Sequence, residues 1–105
     1  MLRNNHFYKI DMLILSLLSK KDLSCLEMTH YIHELSIEYI NIKVGVLFTF
    51  LFHLEQAHLI SSYKDTTTMY HIEEAGRTRL EMLIREYEQM ISGTKNLLNY
   101  HFIEE

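Results

Sequence analysis

The sequence predicts a mainly α-helical domain that carries one small β-hairpin. Apolar residues recur every three or four positions over most of the 105 residues, which is the spacing of a helix with one buried face. The exception is a stretch rich in Thr and Tyr after residue 60, where the composition favours β-strands. The chain has no Pro and only three Gly, so nothing marks a linker, and we expect one hydrophobic core.

Three helices are predicted ahead of the hairpin. The first covers about residues 5–18, whose apolar side chains form one stripe. The second begins after Ser24, because a Ser followed three residues later by a Glu, here Glu27, is the pattern of a capping box. A short polar stretch then leads to the third helix, about residues 43–58.

The second half of the chain predicts the hairpin and one long helix. The hairpin strands are residues 61–64 and 68–72. From Glu74 onward the helical spacing returns, and this apolar stripe is long enough to need a partner, most simply a second copy of the chain. The order of elements is that of a winged helix-turn-helix, in which the later of two closely spaced helices enters the major groove and the hairpin forms the wing. We therefore divide the chain into a winged helix-turn-helix domain, residues 1–73, and a C-terminal dimerisation helix, residues 74–105.

Composition excludes several classes of function. Ten Lys and Arg against fourteen Asp and Glu give a net charge of −4, which argues against non-specific binding to nucleic acid but leaves a sequence-specific DNA reader open. The single cysteine, Cys25, excludes an intramolecular disulfide and a Cys-based zinc site, and we expect it to be a buried filler in a reducing compartment. The most apolar run, residues 12–18, is far shorter than the roughly 20 residues that span a membrane, so we expect a cytoplasmic protein with no membrane contact.

Four segments match, in order, the motifs of one known family. Residues 22–28 read Asp-Leu-Ser-Cys-Leu-Glu-Met where the family has Pro-Leu-His-Gly-Tyr-Glu-Leu, and residues 44–49 read Val-Gly-Val-Leu-Phe-Thr where it has Pro-Gly-Thr-Leu-Tyr-Pro. Residues 54–60 read Leu-Glu-Gln-Ala-His-Leu-Ile in place of Leu-Glu-Glu-Glu-Gly-Leu-Ile, and residues 69–76 read Met-Tyr-His-Ile-Glu-Glu-Ala-Gly in place of Tyr-Tyr-Arg-Leu-Thr-Glu-Ala-Gly. Together these segments resemble the PadR-type transcriptional regulators over about residues 14–87.

The resemblance implies a dimeric DNA-binding repressor that acts on operator DNA and dimerises through its N- and C-terminal helices. It identifies no small-molecule inducer. The dimerisation residues expected on this basis are Phe7, Ile10, Ile14, Leu80, Leu83, Ile84, Tyr87, Ile91 and Leu98. The chain departs from the family at two surfaces: Phe52 and His53 replace basic residues late in the recognition helix, and the wing holds a single cation, Lys64. Both departures remove positive charge that would contact DNA phosphates.

The predicted recognition helix has a core side and an outer side when its residues are placed about 100° apart. The core side consists of Val44, Leu47, Phe50, Leu51 and Leu54. On the outer side, Thr49, His53 and Gln56 offer hydrogen bonds to bases. Beside them, Val46 and Phe52 offer contact to thymine methyl groups. The full set of expected DNA-binding residues is Asn41, Lys43, Gly45, Val46, Thr49, Phe52, His53, Gln56, Lys64, Thr66, Tyr70 and His71.

A plainer interpretation of some of these residues stays open. Thr49 and His53 are also what an ordinary solvated helix face would carry, and Tyr70 is also what would pack a small sheet. Lys43 and Lys64 are the stronger assignments, because a cation at a helix start or at a wing tip lies where phosphate would pass.

Two short motifs have the spacing of a metal site. Glu27-x-x-His30 and Glu55-x-x-His58 match half of a di-iron carboxylate signature, to which further Glu residues from other helices would have to be added. Both Glu residues, however, fall where the PadR-type pattern has Glu for reasons unrelated to metal. We therefore expect no metal, no cofactor and no catalytic residue.

A second function of another class also follows from the sequence. The net acidity and the apolar residues Val46, Phe48 and Phe52 on the expected DNA face suit a winged helix that has become a protein-interaction module. Such a module would act as an antirepressor or co-regulator, with a protein partner in place of DNA.

Overall fold

The computed structural model describes residues 9–103, in which helices and a small sheet alternate along the chain. The elements are α1 (Ile10–Leu18), β1 (Leu23–Ser24), α2 (Cys25–Leu35), α3 (Val44–Gln56), β2 (Ile60–Lys64), β3 (Thr68–Ile72) and α4 (Glu74–Leu98). This arrangement confirms the predicted mainly α-helical winged helix-turn-helix. The first four residues of the first predicted helix, 5–8, lie outside the described residues, and so does Phe7 with them.

The start of α2 is fixed by the capping box that the sequence predicts. The backbone N–H of Glu27 donates to Ser24 Oγ over 3.2 Å, and the backbone N–H of Ser24 donates to Glu27 Oε1 over 2.9 Å. Two backbone donors that the helix cannot satisfy internally are thereby paired.

A third strand, which the sequence did not predict, completes the sheet. The strand order is β1-β3-β2 and both pairings are antiparallel, with Leu23 opposite Tyr70 and Ile60 opposite Ile72. β1 is only two residues long, so it carries no alternation from which a strand could be recognised. Its effect is to join the start of α2 to the wing.

One hydrophobic core connects all four helices to the inner face of the sheet. Its fully buried side chains are Ile14, Leu15, Leu18, Leu23, Met28, Leu47, Leu51 and Ile60. Three residues expected at a dimer interface belong to this core instead: Ile14 is fully buried, and Leu80 and Leu83 are buried against it. The dimer prediction is wrong for these three, because the first half of α4 folds back onto α1 and needs them there.

The long helix α4 has a packed half and a projecting half. It runs antiparallel to α1, since Lys9 Nζ lies 3.6 Å from Glu86 Oε1 at one end and Arg77 Nη1 donates to the Ser19 carbonyl over 3.4 Å at the other. Beyond residue 83 every residue of α4 is at least partly exposed. The helix thereby gives the described residues an elongated shape of 68 × 28 × 27 Å. None of the helices in residues 9–103 is both long and apolar enough to cross a membrane.

Candidate nucleic-acid interface

The outer face of α3 is not covered by the rest of the described chain. This outer face is formed by Gly45, Val46, Thr49, Phe52, His53 and Gln56, all of them exposed. Val46 and Phe52 are 45% and 53% exposed, and neighbouring Phe48 is 55% exposed. The opposite side of the helix is held in the core by Leu47, Leu51 and Leu54, with Phe50 half-buried beside them. Val44 was expected in the core but is exposed, because it occupies the first turn, beyond the edge of the core.

The N-terminus of α3 is open to solvent and positively charged. Lys43 occupies the N-cap position, where no side chain accepts from the free N–H groups of the first turn, and no acidic residue lies in that turn. Asn41 and Lys43 are both exposed. The start of the helix is held beside α2 by Cys25, whose thiol lies 3.9 Å from the Val44 carbonyl oxygen. Free N–H groups, the helix dipole and a lysine together favour an anion at this point.

Polar groups on the outer face of α3 are few. The Thr49 hydroxyl donates to the Gly45 carbonyl over 3.0 Å, which leaves its oxygen lone pairs to accept a further hydrogen bond. His53 and Phe52 stack edge to face with ring centroids 5.8 Å apart, so the imidazole is held against an apolar ring. Gln56 completes a surface that can both hydrogen-bond and make apolar contact.

The wing is fastened to α3 at its base and exposed at its tip. The Ser62 hydroxyl donates to Glu55 Oε2 over 2.7 Å, which links β2 to the last turn of α3. Lys64, at the end of β2, and Thr66, in the turn that follows, are exposed. Within residues 9–103, no acidic side chain lies within ion-pair distance of Lys64 or Lys43.

Two of the residues expected to bind DNA are not brought to this surface. Tyr70 is only 5% exposed and packs in the core, so its assignment to DNA contact is wrong and the plainer interpretation holds. Burial accordingly raises the pKa of the Tyr70 hydroxyl. His71 points to the other side of the sheet, where its Nδ1 lies 2.9 Å from Asp22 Oδ1. Side chains alternate along a strand, so the face that Tyr70 and Ser62 present to α3 is not the face of His71.

Sequence reasoning missed the polar cluster around Asp22. Asp22 Oδ2 accepts a hydrogen bond of 2.7 Å from the Tyr63 hydroxyl, while Oδ1 faces His71. The hydrogen bonds from Tyr63 and then from His71 hold the pKa of the Asp22 carboxyl below its usual value. The three residues are 41 and 49 positions apart in sequence, so no local pattern could have associated them.

Comparison with known proteins identifies the family. The model of the family described as "Transcriptional regulator PadR-like family" matches residues 14–82. The chain belongs to this PadR-like family. Members of the family are DNA-binding transcription factors, so the chain is a regulator and not an enzyme.

Solved structures of transcriptional regulators, PadR family members among them, have the same fold. A transcriptional regulator from Clostridium thermocellum is 30% identical and superposes with a TM-score of 0.73, over 85% of this chain and 88% of that one. A PadR family transcription regulator from Clostridium difficile is 26% identical with a TM-score of 0.75, over 86% and 98%. Bacillus subtilis PadR in complex with operator DNA is 20% identical with a TM-score of 0.61, over 91% of this chain and 49% of that one, and shows the fold alone. Among curated protein sequences, none matches this chain.

The PadR-like chain uses its two Glu-x-x-His motifs for structure. Glu27 is a member of the capping box, and Glu55 accepts from Ser62. In the part of the chain that the structure describes, no three His, Cys, Asp or Glu side chains come together as metal ligands would. Cys25 is half-buried, and this burial raises the pKa of its thiol, which suits a filler rather than a reactive group.

Proposed function

We propose that this chain is a dimeric, cytoplasmic repressor of transcription that inserts α3 into the major groove of operator DNA. The observation that carries the proposal is the uncovered outer face of α3, which lies between an open, positively charged helix N-terminus and an exposed lysine on the wing. Bacillus subtilis PadR, which has the same fold, was solved in complex with operator DNA, and this supports a DNA-binding role for the fold.

The roles of individual residues follow from their chemistry. Thr49, His53 and Gln56 would hydrogen-bond to base edges, and Val46 and Phe52 would contact thymine methyl groups. Lys43 and Lys64 would contact DNA phosphates. Asn41, Gly45 and Thr66 would flank these two contacts. A surface with two apolar contacts and few cations favours A·T-rich sites and gives weak binding.

The projecting half of α4 supports a dimer. Ile84, Tyr87, Ile91 and Leu98 recur at steps of three, four and seven and form one stripe, which we call the α4 seam. Ile84, Tyr87 and Leu98 are exposed and Ile91 is half-buried in the protomer, so the seam is available to a second copy. Half-buried Ile10, at the start of α1, would join it at the edge. Twofold symmetry would place the two α3 helices about one helical turn apart on a pseudo-palindromic site.

Selection of genomic fragments tests the proposed function. The purified protein is incubated with sheared DNA at two salt concentrations, the bound fragments are sequenced, and affinities are measured by fluorescence anisotropy. We expect one enriched pseudo-palindrome whose binding is lost in Lys64→Glu but kept in Arg85→Glu, which makes the same charge change on α4. Absence of any enriched sequence at the lower salt concentration would contradict DNA recognition.

The exposed apolar side chains on α3 favour one other candidate function, that of a protein-interaction module. Val46, Phe48 and Phe52 are each about half exposed on the same region of the helix. In that case Phe52→Asp would abolish retention of a defined protein partner while the dimer persisted, and no DNA sequence would be enriched.

A further inference from the structure

Helix α2 ends at a position that favours glycine but holds isoleucine. The N–H of Ile37 donates to the Glu34 carbonyl over 3.0 Å, and the N–H of Glu38 donates to the His33 carbonyl over 2.8 Å, which is the bonding of a Schellman motif. Ile37 has φ of 54°, in the left-handed region that a β-branched side chain rarely adopts. Glu38, with φ of 67°, extends this conformation by one more residue. The end of α2 is therefore held in a conformation that costs free energy.

Burial does not offset this cost, because the Ile37 side chain is 77% exposed. Two further apolar side chains within two positions of it are also uncovered: Leu35 is 70% exposed and Tyr39 is 89% exposed. We call these three residues the turn patch. Single exposed apolar residues are common on protein surfaces, whereas three within five positions, one of them on strained backbone, mark a contact surface. The turn patch is therefore expected to be covered by something other than the described protomer.

The turn that carries the patch is held in one shape by hydrogen bonds of its own. The Ser36 hydroxyl oxygen accepts the N–H of Ile40 over 2.9 Å, and the Ser36 hydroxyl donates to the His33 carbonyl over 3.2 Å. The N–H of Tyr39 donates to the Ser36 carbonyl over 3.1 Å. A partner would not have to order this turn, so less of the binding free energy would be lost when it docks.

The surroundings of the turn patch are acidic. Glu34 and Glu38 flank it and are both exposed, and the sequence holds no Lys or Arg between Lys21 and Lys43. Over residues 9–103, neither carboxylate has a Lys or Arg within ion-pair distance, and Glu34 has only the exposed His30, whose Nε2 lies 3.7 Å from its Oε1. The turn patch therefore combines uncovered apolar side chains with uncompensated negative charge.

This charge decides between the possible occupants of the turn patch. DNA phosphates and anionic lipid headgroups would be repelled, and two turn patches that face one another in an isologous contact would bring like charges together. A protein segment that carries apolar side chains between Lys or Arg residues matches both the apolar and the acidic character of the patch. The occupant that fits is therefore a basic and apolar segment of another protein.

The turn patch lies away from the N-termini of α2 and α3. Cys25, at the start of α2, has its thiol 3.9 Å from the carbonyl oxygen of Val44 at the start of α3, so the two N-termini lie together. Leu35 is ten residues farther along α2, about 15 Å from Cys25 at 1.5 Å per residue. The patch shares no residue with the outer face of α3 or with the α4 seam. A partner bound there would leave both of those surfaces free.

We propose that the turn patch docks a segment of another protein in which Lys or Arg residues flank apolar side chains. The docking goes beyond the proposed function, since it adds a second surface that can be occupied while DNA is bound. It also differs from the protein-interaction alternative, which uses α3 in place of DNA. The side chain of Ile37 makes the central contact, which explains why isoleucine stands where glycine would be more stable.

Selection from a peptide library tests the docking. Random peptides displayed on phage are selected on the immobilised protein, and the affinities of the enriched peptides are measured by fluorescence anisotropy. The test variant is Ile37→Gly, which removes the side chain and relieves the strain, so that it should raise the melting temperature. The matched control is His58→Gly, which relieves the same kind of strain at the end of α3 but leaves the turn patch intact. We expect the enriched peptides to carry Lys or Arg around apolar residues and to bind Ile37→Gly at least about tenfold more weakly than His58→Gly.

The outcomes separate the docking from DNA recognition, because the peptides are selected without DNA. Peptides that bind Ile37→Gly and His58→Gly equally well would overturn the docking, and so would enrichment of acidic peptides or of none. A lower melting temperature for Ile37→Gly than for the wild type would show that the turn is not strained and would overturn the docking as well. Each of these results would leave the proposed operator binding standing.

A second pair of variants tests the charge of the patch. Glu34→Gln/Glu38→Gln should weaken binding of the enriched peptides at least about threefold at low salt, because the two exposed carboxylates attract their basic residues. Glu81→Gln/Glu88→Gln, which makes the same charge change at two exposed positions of α4, should leave binding unchanged. Equal affinities of the two double variants would overturn the basic partner.

Discussion

Asp22 and His71 are joined across the outer face of the sheet, with Asp22 Oδ1 2.9 Å from His71 Nδ1. Asp22 precedes the capping box of α2, and His71 belongs to the inner strand of the wing. With the Tyr63 hydroxyl on Asp22 Oδ2, the three side chains form what we call the Asp22 cluster. It ties the wing to the first helix of the helix-turn-helix at a point remote from the outer face of α3.

Removing the charge of Asp22 should lower the free energy of unfolding in a pH-dependent way. The pKa of Asp22 is below its usual value of 3.8 in the folded protein, so its contribution is complete above that value and is lost as the pH falls through the folded pKa. We expect Asp22→Asn to lower the free energy of unfolding by under about 1 kcal/mol at neutral pH, since the carboxylate is partly solvated. The difference from the wild type, measured by urea denaturation, should shrink below about pH 4. A constant difference down to pH 2 would show that the charge of Asp22 is not responsible.

Two glycines of α4 should respond in opposite directions to the same substitution. A Cβ at Gly76 would overlap the Leu59 carbonyl oxygen and lie 2.8 Å from Ile72 Cγ1, whereas at Gly93 it would meet nothing within 4 Å. Gly76→Ala should therefore lower the free energy of unfolding by about 2 kcal/mol or more, because backbone must move. Gly93→Ala should raise it by up to about 1 kcal/mol through helix propensity. Thermal denaturation of both variants gives the comparison, and a stable Gly76→Ala would contradict the close approach.

Replacing His58 by glycine should stabilise the protein. His58 follows α3 with φ of 64°, and its N–H donates to the Glu55 carbonyl while that of Leu59 donates to Leu54, which is the bonding of a Schellman motif. A non-glycine residue in this conformation costs about 1–2 kcal/mol, part of which glycine loses again through its freer unfolded chain. We expect His58→Gly to raise the free energy of unfolding by up to about 1 kcal/mol. His58→Ala is the control, because it keeps the steric cost and should give no gain.

Most of the fold could be predicted because its signals are local. The capping box at Ser24, the helical spacing and the Thr- and Tyr-rich hairpin each depend on residues within one element. Non-local features were missed for the same reason. The strand β1 exists only because Leu23 pairs with Tyr70, and the Asp22 cluster exists only because the sheet brings three distant residues together.

The exposure of the candidate site residues was predicted well on the helix and less well on the sheet. Helical spacing placed Val46, Thr49 and Phe52 on an uncovered face, as observed. On the hairpin, the sequence favours both Tyr70 and its neighbour His71 as DNA contacts, although strand alternation puts Tyr70 in the core and His71 on the outer side of the sheet. The prediction of dimerisation residues likewise failed where α4 packs on α1. Helical periodicity shows that a stripe is buried, but it does not show which surface covers the stripe.

The double variant Thr49→Ala/Gln56→Ala tests whether the outer face of α3 reads DNA in a dimer. Affinity for the selected operator fragment is measured by anisotropy beside Gln89→Ala, an exposed change on α4 that leaves α3 intact. We expect the affinity of the double variant to fall at least about tenfold, because each good base contact contributes about 1–3 kcal/mol, and we expect wild-type affinity for the control. Wild-type affinity in a correctly folded, dimeric double variant would contradict this expectation.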